Sequence, residues 1–374
     1  MSLIFDPASC IRTSSKMSEC TKCVEICPVK TIEIVENIPT FTPSACVDCG
    51  GCVGVCPTEA FSLKDFSTVD FFFEMAESEE TLISCKKNIP CLSLLSVEHL
   101  ISLALESEEP VVLDLGHCAA CEIREPLFAQ IERNIEEANF VLSSFSDRQL
   151  QPEMIGYEGE GSGSDSRADD QEVKPSRRSF LSNLSLKGAG RQKAAFDEAV
   201  EADERKRFDI DSAVIAKIKE KRIPDKRKIL FTMLKRTKKP ERYEVLPEEE
   251  VRFVSQKFID DRCTNCQICY RICPTGALSS DGKCSVIHFD AMLCLKCRLC
   301  HDSCEPDAIQ LQPGFEIKEF FEPAQRVLAT FDVRRCYECG IHFTYEGGEQ
   351  ICPRCRVEEE EAMTLHENAR KMES

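Results

Sequence analysis

Apolar residues fall in short, separate bursts along this chain, and the clearest rhythm lies between residues 66 and 150. Thr81 to Ser84 and Val111 to Leu115 are short apolar runs that predict buried strands. Leu92 to Leu105 has the three-to-four spacing of an amphipathic helix, and Ile123 to Ala138 predicts a second one. Strand alternating with helix implies a small α/β module. Farther on, Pro224 and Asp225 open a stretch in which Ile229, Leu230, Met233 and Leu234 recur at helical spacing beside Lys226, Arg227, Lys228, Lys235 and Arg236. Gln151 to Val173, by contrast, is rich in Gly, Ser, Glu and Asp, with few apolar residues to bury, and reads as a disordered linker. No apolar run approaches the roughly 20 residues that cross a bilayer, so direct membrane insertion is not expected.

Charge sharpens that division. The formal net charge is -18, yet residues 174–242 hold 21 Lys and Arg against 10 Asp and Glu, a local +11 that leaves -29 on the remainder. The simplest account of the basic helix is a solvated element with one buried face; docking on an acidic partner, or on the acidic remainder of this same chain, is the functional account. Nucleic-acid binding is not expected, because the acidic remainder repels phosphate.

Cysteine is the outlying residue, 25 of 374. A secreted disulfide scaffold is the first thing such a count suggests, but scaffolds of that kind are usually short and no amino-terminal signal peptide is evident. A reducing, cytoplasmic setting fits better. Ser176-Arg177-Arg178-Ser179-Phe180-Leu181 resembles a twin-arginine export signal, but it lies mid-chain and is followed by polar sequence where an apolar core is required.

The spacing of the cysteines supplies the chemistry. Cys46-x2-Cys49-x2-Cys52-x3-Cys56-Pro57 and Cys263-x2-Cys266-x2-Cys269-x3-Cys273-Pro274 have the form in which three thiolates wrap one iron-sulfur cube and the fourth crosses to a neighbouring cube. Cys294-x2-Cys297-x2-Cys300-x3-Cys304 completes a pair with the second run. One cluster is therefore assigned Cys263, Cys266, Cys269 and Cys304, and the other Cys294, Cys297, Cys300 and Cys273. Residues 255 to 315 resemble the dicluster bacterial ferredoxin family, which implies low-potential cubes cycling between two oxidation states. Glu305, inserted between Cys304 and Pro306, departs from the pattern and is expected to alter the turn without removing a ligand.

The amino-terminal pair is less regular. Cys20-x2-Cys23-x3-Cys27-Pro28 keeps three ligands, but Met17 stands where the first cysteine belongs, and a thioether is a poor substitute for thiolate. Cys10 is the natural replacement, giving Cys10, Cys20, Cys23 and Cys56 for one cube and Cys46, Cys49, Cys52 and Cys27 for its neighbour. A three-iron cluster with Cys10 as bystander is the alternative.

Two further sets remain. Cys85 and Cys91 follow the first expected strand and Cys118 and Cys121 the second, so four thiols converge at the carboxyl ends of parallel strands, where open sheets place ligands. The segment from Pro90-Cys91 through Gly116-His117-Cys118 to Cys121 loosely resembles the small iron-sulfur subunit linking hydrogenases to heterodisulfide reductases, although that family spaces the second pair more widely. A further iron-sulfur cluster, a structural zinc and a redox dithiol at Cys118 and Cys121 are all open, as are inert buried thiols at Cys85 and Cys91. At the tail, Cys336-x2-Cys339-Gly340 and Cys352-Pro353-x-Cys355 match the two knuckles of a zinc ribbon, with a rubredoxin-like iron as the rival metal. Cys284 is left over and reads as a small core residue.

No phosphate-binding glycine loop, dinucleotide fingerprint or nucleophile elbow is present, and no substrate pocket can be read. The expectation is an α+β protein: ferredoxin-like dicluster domains at 1–65 and 255–318, the α/β cysteine module at 66–150, a linker with a basic helix at 151–254 and a zinc-ribbon-like tail at 319–374. Its expected function is noncatalytic electron transfer through four 4Fe-4S clusters to or from a larger oxidoreductase, with zinc in the tail. A maturation or redox-sensing adaptor is the alternative.

Overall fold

The computed structural model describes residues 3–78, 80–156, 217 and 220–372; the twin-arginine-like segment and most of the expected linker lie outside the described residues. The protein mixes helices with several small sheets of two or three strands, and no barrel is formed among them.

The two cysteine-rich halves share one plan. In the first, Leu3–Phe5 pairs antiparallel with Phe61–Leu63, so the ends of the segment meet, and Ile32–Val35 forms a hairpin with Ile38–Phe41. In the second, Lys257–Ile259 pairs with Ile309–Leu311 and Leu278–Ser280 with Val286–Asp290 in the same way. Short helices at Lys22–Glu25, Gly51–Val55, Ile268–Ile272 and Leu299–Asp302 carry cysteines between these strands. The second half draws in chain from beyond its ends: Gln325–Thr330 extends the hairpin sheet and Val245–Pro247 pairs with Gly314–Glu316.

Between the halves lies a three-stranded parallel sheet of Leu82–Ile83, Val111–Asp114 and Leu150–Glu153. Helices Thr68–Glu77, Val97–Glu106 and Arg124–Ser143 accompany it. The first two strands were legible from their apolar runs. Leu150–Glu153 was not, because only Leu150 is buried and Pro152 argues against a strand. Ile83, Ile101, Leu113 and Leu142 are fully buried here, and this is the main apolar core.

The basic helix spans Asp225–Arg236 and seats Ile229, Leu230, Met233 and Leu234 against that core, as the spacing predicts. The solvated-face reading fails at its start, where Lys226 and Arg227 are buried too. Arg227, with no exposed surface, donates to the carbonyls of Phe253 at 2.7 Å and Met292 at 3.1 Å and pairs with Glu98 at 3.2 Å. Burial pushes the Glu98 carboxyl up, but Lys226 and Arg227 outweigh it and hold it down at about 2. The helix also lacks a cap of its own. Glu59, 166 residues earlier, offers its carboxylate to the amides of Asp225 at 2.6 Å and Lys226 at 3.0 Å, satisfying orphan donors at the positive end of the helix.

Candidate metal centres

Each cysteine run folds around a recurring backbone turn. In three runs the residues on either side of the second cysteine have left-handed φ: Asp48 and Gly50, Asn265 and Gln267, Lys296 and Arg298. Left-handed backbone is unfavourable for Gln, Lys and Arg, and its threefold recurrence marks a constraint. Alternating handedness turns successive amides inward as a concave nest, the arrangement that receives anionic iron-sulfur groups. The Cys20 run differs, with Thr21 at a φ of -126, so it departs from the pattern in backbone as well as in lacking the first cysteine.

The fourth cysteine of every run begins a second shared turn, whose third following residue is left-handed: Lys30, Glu59, Gly276 and Asp307. Glu305 therefore does not alter this turn as expected; moving the proline by one residue leaves Asp307 in the same conformation. The amide four residues on points at the sulfur in three of them, from Thr31 to Cys27 at 3.4 Å, Ala60 to Cys56 at 3.3 Å and Ala308 to Cys304 at 3.3 Å.

These turns gather the thiols in crossed sets. The Cys23 thiol is pushed up by burial and then by the charges of Cys56, Cys20 and Cys10, and the Cys10 thiol rises to about 11 by burial and Cys56. Cys10 is buried whereas Met17 is 60 % exposed, so the side chain turned toward the other thiols is Cys10. Cys49 is raised to about 11 by burial, with Cys91, Cys27 and Cys46 as the charges acting on it. In the second half, Cys263 is raised by burial and by Cys266 and Cys304, while Cys297 is raised by burial and by Cys273, Cys300 and Cys294. Burial and mutual repulsion both disfavour thiolate at Cys10, Cys23, Cys49, Cys263 and Cys297, a cost that a cationic metal group would offset.

The central module brings its own four thiols together. Cys85 is raised by burial, with Cys91, Asp114 and Cys121 adding to the effect, and Cys118 is pushed up to about 12 by burial and by Cys91, Cys85 and Cys121. Both pairs leave the carboxyl ends of adjacent parallel strands, and the two loops are tied by Ser84 Oγ donating to buried Asp114 at 2.6 Å. Gly116 follows because a Cβ there would lie 1.9 Å from the Ile155 carbonyl oxygen. This set also abuts the first half: Ser93 Oγ donates to the Cys49 carbonyl at 2.9 Å, and a Cβ on Gly54 would lie 2.0 Å from the Ser93 carbonyl oxygen.

The tail site has another scale. Cys336, Cys339, Cys352 and Cys355 present sulfurs that all lie within 4.8 Å of one another, the one set among the described residues so compact. The Cys339 and Cys352 sulfurs are 3.6 Å apart; a tetrahedron of thiolates about 2.3 Å from one ion has edges of about 3.8 Å. A hairpin of Val333–Arg335 and His342–Thr344 presents the first knuckle, with Gly340 left-handed at its turn. The second opens helix Pro353–Met372. Although burial opposes it, the amides of Cys339, Cys352 and Glu338 bring the Cys336 thiol down to about 6, poising it as thiolate for a cation.

Cys284, outside every set, is half-buried in the hairpin connection, where its carbonyl accepts from Asn265 Nδ2 at 2.8 Å.

Comparison with known families agrees with this geometry. Residues 18–60 match the 4Fe-4S dicluster domain and residues 257–279 the 4Fe-4S binding domain. The protein thus carries two 4Fe-4S ferredoxin-type domains, together with a cysteine-rich tail able to hold a metal. The first match begins after Cys10 and the second ends before Cys294, so neither bears on those ligands. Curated proteins and solved structures yield no match.

Proposed function

We propose that this protein is an iron-sulfur electron carrier, a polyferredoxin or electron-transfer subunit that holds four 4Fe-4S clusters and exchanges single electrons with a larger oxidoreductase. The observation that carries this reading is the crossed gathering of the ferredoxin-run thiols, with an amide nest recurring in three of the four runs. Bound cubes would supply reversible one-electron chemistry. The ligands are assigned as Cys10, Cys20, Cys23 and Cys56; Cys46, Cys49, Cys52 and Cys27; Cys263, Cys266, Cys269 and Cys304; and Cys294, Cys297, Cys300 and Cys273. The chain's part is to fix those thiols, direct amide hydrogens at the sulfurs and exclude water, which together set potential.

Two accessory centres belong to this proposal. The tail is assigned one tetrahedral zinc. Cys85, Cys91, Cys118 and Cys121 are assigned a further iron-sulfur cluster, since they act on one another as the ferredoxin-run thiols do, while the compact set within 4.8 Å among the described residues is the tail's.

Anaerobic iron, sulfide and zinc analysis with EPR after dithionite reduction tests the whole scheme. About sixteen iron and sixteen sulfide with interacting S = 1/2 signals are expected from the four cubes, with additional iron from the central module and one zinc. Little iron with several zinc would overturn electron transfer and leave a zinc-stabilised adaptor.

A further inference from the structure

One basic segment touches both ferredoxin-type domains at the same corner. The corners are Cys56-Pro57-Thr58-Glu59 and Cys273-Pro274-Thr275-Gly276, each ending on a left-handed residue. Lys226 Nζ donates to the Cys56 carbonyl at 2.6 Å, and Lys221 Nζ to the Cys273 carbonyl at the same 2.6 Å. The intervening backbone is anchored as well: the Arg222 amide donates to the Pro274 carbonyl at 2.9 Å, and Glu59 holds the amides of Asp225 and Lys226. The same segment thus delivers an ammonium group to one fourth cysteine in each domain, Cys56 in the first and Cys273 in the second.

The two cluster sites so addressed face each other. The Glu19 amide, beside Cys20, donates to Asp302, two residues from Cys300, at 3.1 Å. A cavity of about 450 Å³, walled largely by the central module, is also lined by Lys22 and Pro57 of the first domain, by Leu295 beside Cys294 of the second, and by Lys226. Of the remaining two sites, one lies beside Cys91 of the central module and the other beside the tail, where Asn265 Nδ2 meets Thr344 Oγ1 at 3.1 Å.

We propose that Lys226 and Lys221 set redox potential: they raise it at the inner site of each domain, Cys10/Cys20/Cys23/Cys56 and Cys294/Cys297/Cys300/Cys273, so that electrons settle at the junction between the halves. The proposal rests on the carrier reading. The step is a one-electron transfer in which a low-potential donor is oxidised and an inner cube reduced, with no bond or proton exchanged. A nearby cation favours the reduced, more negative state, and net local charge is among the terms that set cluster potential. Lys226 is 3 % exposed, whereas Lys221 reaches solvent, so Lys226 is the stronger of the two.

The test is an anaerobic redox titration of the full reconstituted chain followed by EPR, comparing wild type with K226Q, K226R and K221Q. K226Q is expected to make one wave about tenfold harder to reduce, a fall of about 59 mV for a one-electron couple. K226R, which keeps the charge, should restore it to within about twofold, and K221Q should shift a different wave about two- to threefold. Unmoved waves in K226Q with full iron content would overturn the proposal. Should K226Q lose iron, K221Q decides, and an unmoved wave there overturns it. Wild-type protein that binds no iron would instead bring down the carrier reading itself.

Discussion

Cys10 shows how a single side chain can complete a site that its own motif leaves open. Met17 occupies the expected ligand position but is exposed, while Cys10 is buried and feels the charge of Cys56 across the fold. C10S in the full chain is therefore expected to remove one cube, seen as loss of about four iron and one EPR component, while M17A leaves both unchanged. The sequence led to Cys10 because cysteine spacing encodes cluster chemistry directly. It held no comparable sign of the left-handed turns: Asp48, Gly50 and Asn265 are types that tolerate such backbone, but Gln267, Lys296 and Arg298 are not. Those conformations are imposed by closing the loop, which no residue preference announces.

At the scale of elements, helix Asp225–Arg236 is the instructive case. Its apolar face was legible from spacing, but the burial of Lys226 and Arg227 was not, because a charged run reads as solvated until Glu59, Glu98 and three main-chain carbonyls arrive from distant parts of the chain. Arg227→Met leaves Glu98 buried without its nearest partner and is expected to cost about 3–5 kcal/mol in denaturant unfolding. The double substitution Arg227→Met, Glu98→Met should cost less than the single one, since the buried carboxylate is then removed together with its nearest partner while Lys226 keeps the Cys56 carbonyl. Equal or additive losses would mean that the pair contributes through packing alone.

For the whole molecule, the parts meet around a charged junction. Burial pushes the Glu137 carboxyl up to about 7, against the opposing pull of the Arg252 amide and guanidinium. A folded-state value above the unfolded one means that this stability is fully present below about pH 4.5 and is lost as pH rises through 7. Glu137→Gln should therefore raise the anaerobic Tm above pH 7, by about 1–2 kcal/mol of stability, with the advantage fading toward pH 5. A constant difference across that range would rule out titration of this group. Sequence disclosed the separate parts but not their meeting, because the contacts that join them run between residues more than 100 positions apart.

The matched corners also bear on how the two domains are held. Two small domains on one chain can be tethered loosely or locked together. Here a single directional segment binds one such corner in each domain, entering one through Lys221 and the other through Lys226. The two copies are thereby held as a pseudo-dimer written in one polypeptide, locked by the piece of chain that joins them.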